Sequence, residues 1–82
     1  MPKLKDLQEI AEIISIAITR EQASIEYYKN AHRKATSENA KKTFSLLLEQ
    51  ERAHEAELRS RLYEIKAEID AIKAEIDFKR MK

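Results

Sequence analysis

Apolar side chains return at Leu4, Leu7, Ala11, Ile14, Ile18, Ile25 and Tyr28 in steps of three and four, with one gap. Glu21 stands in that gap. A repeat near 3.6 residues predicts a helix from about Leu4 to Lys34. Ile10, Ile13 and Ala17 add a second apolar row beside the first, which widens the face beyond what one neighbouring helix needs.

The stretch TSEN, residues 36–39, breaks this pattern. Thr36 or Ser37 is suited to cap a new helix, and Glu38 suits the positive end of its dipole. A short connection of this kind reverses the chain and makes the two helices antiparallel neighbours. Beyond it, Phe44, Leu47, Glu51, His54 and Leu58 follow in steps of three and four, so two polar residues again interrupt an apolar seam. The stripe continues through Leu62, Ile65, Ile69, Ile72 and Ile76, and IKAEIDA (65–71) recurs as IKAEIDF (72–78), a coiled-coil signature. The four-residue step from Leu58 to Leu62 is a stutter that relaxes the supercoil and permits a bend there. With no proline or glycine inside it, one helix from about Ser37 to Lys79 is expected. The pattern divides into a hairpin, residues 1–61, and a C-terminal helical extension, residues 62–82.

Composition narrows the chemistry. The 82 residues include no glycine, one proline and 38% charged side chains, which fits an all-α protein and leaves little material for hairpin turns of β-structure. So short a chain buries little surface alone, and self-association is the expectation. A formal charge of +1 supplies no field to attract nucleic acid. The absence of cysteine removes disulfides, zinc–thiolate sites and thiol-held iron–sulfur clusters, leaving carboxylates and imidazoles as the strong metal ligands. The longest apolar run, IISIAI at 13–18, is too short for a membrane span. No membrane partner and a cytoplasmic location are expected.

A reversal at Thr36 places Glu21 fifteen residues before the turn and Glu51 fifteen after it, both about 22 Å from it at 1.5 Å per residue. Residues three apart share a helix face, so His54 and Glu51 can reach the ion that Glu21 approaches from the other helix. Two copies would bring together four carboxylates and two imidazoles in a four-helix bundle, enough for two divalent ions. Four buried anions without metal would repel one another and be driven to protonate. The competing interpretation is a structural helical module in which these groups only set register and partner choice.

The segments EQASIEYY (21–28) and LEQERAHEAEL (48–58) resemble the first two helices of rubrerythrin-type ferritin-like proteins over roughly residues 10–58. The matching features are a Glu seven residues before a Tyr, here Glu21 and Tyr28, and a Glu-x-x-His within an EQE-x-x-H context, here Glu51 and His54. The resemblance implies a dimer forming a ferritin-like four-helix bundle, with Glu21 and His54 as terminal ligands and Glu51 as a bridging carboxylate of two irons. Manganese and zinc are conceivable substitutes. It further implies oxidation of ferrous iron by dioxygen or peroxide, in iron handling or defence against oxidative stress. This sequence carries one Glu and one Glu-x-x-His where most relatives carry both halves, and so resembles the two-helix encapsulated ferritins. It has no cysteine-rich rubredoxin segment, so an external electron donor is implied. Its end, IDFKRMK, does not resemble a tail that addresses cargo to an encapsulin shell.

Other polar residues have simpler expectations. His32 is about 21 Å from the level of His54 and serves as a cation near a helix C-terminus. Tyr28 belongs to the core. Glu49, Glu55 and Glu57 form a solvated face, and Met81 with the basic end is a frayed terminus. In heptad register Glu68 would meet Lys73 of a parallel partner, joining dimers through their overhanging tails. Alternatively, Lys66 with Asp70 and Lys73 with Asp77 merely support a lone helix.

Overall fold

A computed structural model describes residues 2–81 of the chain. The protein is all-α: α1 covers Pro2–Lys34 and α2 covers Glu38–Arg80, packed as an antiparallel hairpin. Both helices lie within two residues of the spans predicted from periodicity. α2 runs unbroken through residues 58–62 and persists to Arg80, with Met81 in a turn; Lys82 lies outside the described residues.

Three residues make the reversal. The Ala35 N–H still reaches back to the carbonyl of Ala31 at 3.0 Å, ending α1. Ser37 then adopts an extended backbone, φ −88° and ψ 145°, and its hydroxyl accepts from the Ala40 N–H at 3.0 Å. Of the two candidate caps, Ser37 is the one used. Its side chain satisfies a donor that has no carbonyl partner in the first turn of α2. His32, Arg33 and Lys34 occupy the last turn of α1, where the helix dipole favours positive charge.

The interior is a single seam. Ile18, Ile25 and Ile69 are buried, while Leu4, Leu7, Ile14, Phe44, Leu47, Leu58, Leu62 and Ile65 are half-buried along it. Tyr28 stacks on Phe44 with ring centroids 6.5 Å apart, consistent with its expected place in the core. The molecule measures 68 × 15 × 14 Å and its radius of gyration is 18.9 Å, whereas a compact chain of this length would have about 12 Å. So thin a rod cannot enclose the second apolar row of α1. Ile10 and Ile13 are 42% and 64% exposed, as the broad face foretold.

α2 outruns α1. Among the described residues, the inter-helix ion pair nearest this end is Lys3 Nζ to Glu68 Oε1 at 3.2 Å, and α2 continues past it to Arg80. Ile72 and Ile76 there line an open groove with Lys3, Glu75, Lys79 and Arg80. Within its own chain, Glu68 is engaged by Lys3. The ion pair within the tail is Lys79 with Glu75 at 3.3 Å; neither Lys66–Asp70 nor Lys73–Asp77 closes to ion-pair distance among the described residues.

Candidate metal centre

The turn sets the register that builds this site. Because both helices are unbroken, residues equally far from the turn arrive at one level, and Glu21 meets Glu51 with His54 one turn further along α2. Each of the three offers one ligand atom, and all these atoms lie within 4.8 Å of one another. His54 Nδ1 stands 4.0 Å from Glu21 Oε2 and 4.0 Å from Glu51 Oε1. These separations are too long for hydrogen bonds. A divalent first-row ion holds such ligands at about 2.0–2.2 Å, which puts adjacent donors roughly 3–3.5 Å apart, so the trio would close on an ion through side-chain shifts of about 1 Å.

Burial separates the roles. The carboxylate side chains are sheltered, with 24% exposure for Glu21 and 19% for Glu51, while His54 is 58% exposed. Glu21 Oε2 is shut off from solvent and has no hydrogen-bond partner. A lone-pair oxygen in that condition is costly unless a proton or a cation reaches it. The Glu51 carboxylate beside it pushes the Glu21 pKa up, because a proton shared between the two relieves the clash; burial and the charges of Glu51 and Glu55 add to the rise, and His54 opposes it. An orphaned carboxylate oxygen, a second carboxylate and an imidazole form a donor set that fits a hard or borderline divalent metal such as iron, manganese or zinc.

The site opens on one side. Glu21 and His54 line a cavity of about 380 Å³ together with Glu57, Leu58 and Arg61. Ala17 and Ile10 precede Glu21 by four and eleven residues, one turn and about three turns, so the exposed second row of α1 lies on the flank from which Glu21 projects. Metal site and unused apolar row share a face.

Sequence reasoning misplaced one carboxylate. Glu55, assigned to a solvated face with Glu49 and Glu57, is half-buried: it accepts from Gln22 Nε2 of α1 at 3.3 Å and from Arg59 Nε at 2.9 Å, with Arg59 Nη2 at 2.7 Å. Arg59 and Gln22 hold its pKa below the ordinary carboxylate value. Glu49 and Glu57 are exposed, as expected. The only signal in the sequence was adjacency, since Gln22 follows Glu21 and Glu55 follows His54. His32 stands apart, lining a hollow at the turn end with Glu38, Lys41 and Glu49.

An antiparallel helix pair with one carboxylate on the first helix and Glu-x-x-His on the second is half of the ferritin-like carboxylate architecture that binds paired metal ions. The chain belongs to the rubrerythrin family, whose family model matches residues 3–79. That match runs beyond the segments carrying the motif, through the C-terminal part of α2. No curated protein and no solved structure matches the chain. Family membership carries iron binding with it, and no helix among the described residues is long and apolar enough to cross a membrane.

Proposed function

We propose that two copies of the chain pair through the face bearing Ile10, Ile13 and Ala17 and enclose a di-iron centre built from Glu21, Glu51 and His54 of each. The centre oxidises ferrous iron with dioxygen or peroxide. The observation that carries this reading is the sheltered, unpartnered Glu21 Oε2 beside Glu51 and His54, in a cluster whose open side adjoins an unburied apolar row. A single hairpin leaves the ligands half-covered, whereas a two-fold partner would cover them and bury that row together.

Bound iron supplies the electron-transfer chemistry, and the side chains determine where it happens. Glu21 and Glu51 from two copies bring four negative charges, which balance two divalent ions. The proton favoured at Glu21 in the metal-free protein must leave when a cation takes its place. His54, the most exposed of the three, offers a ring nitrogen at the mouth of the cavity. Held by Glu21, Glu51 and His54 of the two copies, two ferrous ions would supply one electron each for the reduction of peroxide, with two protons, to two waters. Return of the resident irons to the ferrous state needs an electron donor outside this cysteine-free chain. Manganese and zinc are substitutes, since such ligand sets discriminate weakly and supply decides occupancy.

Aerobic addition of ferrous iron should produce ferric absorbance that Glu51→Ala and His54→Ala each abolish. Undiminished absorbance in those two variants would refute the assignment. Elemental analysis of protein purified without added metal, with its mass in solution, reads the metal and the stoichiometry directly.

A further inference from the structure

We infer that Gln22 and Glu55 are positioning residues, whose hydrogen bond across the hairpin fixes, within the register set by the turn, the helix rotation and fine offset at which Glu21 meets Glu51 and His54. The inference rests on the metal-site reading above and adds residues that are not themselves ligands.

Most of what holds α1 to α2 is apolar. Isoleucine and leucine seams tolerate small rotations and slides, because dispersion is non-directional and each contact is weak. One residue of slip moves a ligand about 1.5 Å along the axis and about 100° around it, enough to dismantle a cluster spaced at 4.0 Å. The Lys3–Glu68 ion pair cannot prevent this: both partners are well exposed, at 68% and 47%, and it sits some eighteen residues, about 27 Å, from the level of Glu21.

Gln22–Glu55 is placed to do so. It spans the two helices at 3.3 Å, one residue beyond Glu21 on α1 and one beyond His54 on α2. Its acceptor is itself anchored, since the Arg59 guanidinium grips Glu55 Oε2 from one turn along α2 at 2.9 and 2.7 Å. Two N–H groups from Arg59 and one from Gln22 converge on that oxygen, giving it a direction that an apolar contact lacks. The same grip holds a third carboxylate out of the ligand cluster. Residues that orient metal ligands without touching the ion typically matter about 10–100-fold in affinity.

The test uses the full chain. Spin labels placed through Thr19→Cys and Arg52→Cys, both exposed and near the level of the site, report the α1–α2 offset when labelled chains are diluted into excess unlabelled protein. In the metal-free state Gln22→Leu should shift or broaden that distance distribution. It should also weaken cobalt(II) binding, followed by its visible absorption, by about tenfold. Metal-free melting should not fall, because leucine replaces an amide at the edge of an apolar seam. Glu55→Gln, which keeps an acceptor oxygen for Gln22 and Arg59, should retain the parent affinity. An unchanged distance distribution in Gln22→Leu overturns the inference, and so does a cobalt loss that merely tracks a lower melting temperature. Should the parent take up no cobalt, the di-iron reading falls while the distance measurement still decides whether this hydrogen bond fixes the rotation and fine offset.

Discussion

Glu21 and Glu51 approach each other from different helices, thirty residues apart in the chain, with ligand oxygens inside a 4.8 Å envelope that His54 shares. Two carboxylates so placed are stable only with a proton or a cation between them. In the metal-free protein the Glu21 pKa is raised above its ordinary 4.5, chiefly because a proton can be shared with Glu51. The folded state then binds that proton more tightly than the unfolded state. The resulting stabilisation is complete below pH 4.5 and is lost as pH rises through the elevated folded value. Glu21→Gln removes the titrating group. Metal-free Glu21→Gln should therefore melt a few degrees above the parent at neutral pH, at about 4–8 °C for each kcal/mol in a chain of this size. The two curves should converge below pH 4.5. Glu55 titrates with the opposite sign, its stabilisation being lost as pH falls through its lowered value, but it is common to both proteins and cancels. Parallel curves across this range would show that Glu21 carries no strain.

A bound metal would take the place of a proton at Glu21. Adding ferrous iron anaerobically, or cobalt(II), should raise the melting temperature of the parent by the equivalent of about 2.7 kcal/mol when free metal stands at a hundred times its dissociation constant. His54→Ala should lose most of this gain. The gain should also shrink in acid, since protons compete for Glu21. Calorimetry with and without a chelator reads all three. Equal protection in parent and variant would move the metal elsewhere.

Ile10 and Ile13 lie exposed on the flank of Glu21. Replacing both by Asp puts charge where a partner would seat and leaves the α1–α2 seam intact. Sedimentation should show the parent as a dimer or larger and the double variant as a monomer. Iron uptake should fall with the mass, while helicity by circular dichroism remains. Retained mass together with retained metal would exclude this face as the interface.

Ser37 is the hinge of the register. Ser37→Ala removes the acceptor for the Ala40 N–H and should cost about 1 kcal/mol, whereas Ser37→Asp should be close to neutral. Chemical denaturation of the metal-free protein measures both. Equal stability of the alanine variant would mean that solvent caps α2 as well as the hydroxyl does.

Tyr28 packs by its ring. Tyr28→Phe preserves the stack on Phe44 and should leave stability and ferric absorbance near those of the parent, while Tyr28→Ala should destabilise by about 1–3 kcal/mol, below the full cost at a sealed core position because the residue is only half-buried. Loss of iron oxidation in a stably folded Tyr28→Phe would give the hydroxyl a chemical part.

The helices and their seam were readable along the chain because one interaction dominates them: apolar residues at a 3.6-residue period have one way to leave water together. The level of Glu21 against Glu51 was readable too, since straight helices advance by a constant rise on both sides of a short turn. The seams gave Glu21, Glu51 and His54 away by being polar where oil was due. The tail repeat was equally visible, while the ion pair of Glu68 with Lys3 within the hairpin was not, because both side chains lie at the exposed margin of the seam.

What tertiary structure alone decided concerns the edges of that seam. Gln22 reaching Glu55, the sheltering of Glu21 Oε2, and the exposure of His54 beside half-buried Glu51 all depend on how far each helix turns about its own axis when they pack. Periodicity fixes that rotation only to within the width of an apolar face, about 100°. Side chains at the margin of such a face fall to one side or the other according to which rotamers interlock across the gap, and that choice belongs to two helices at once.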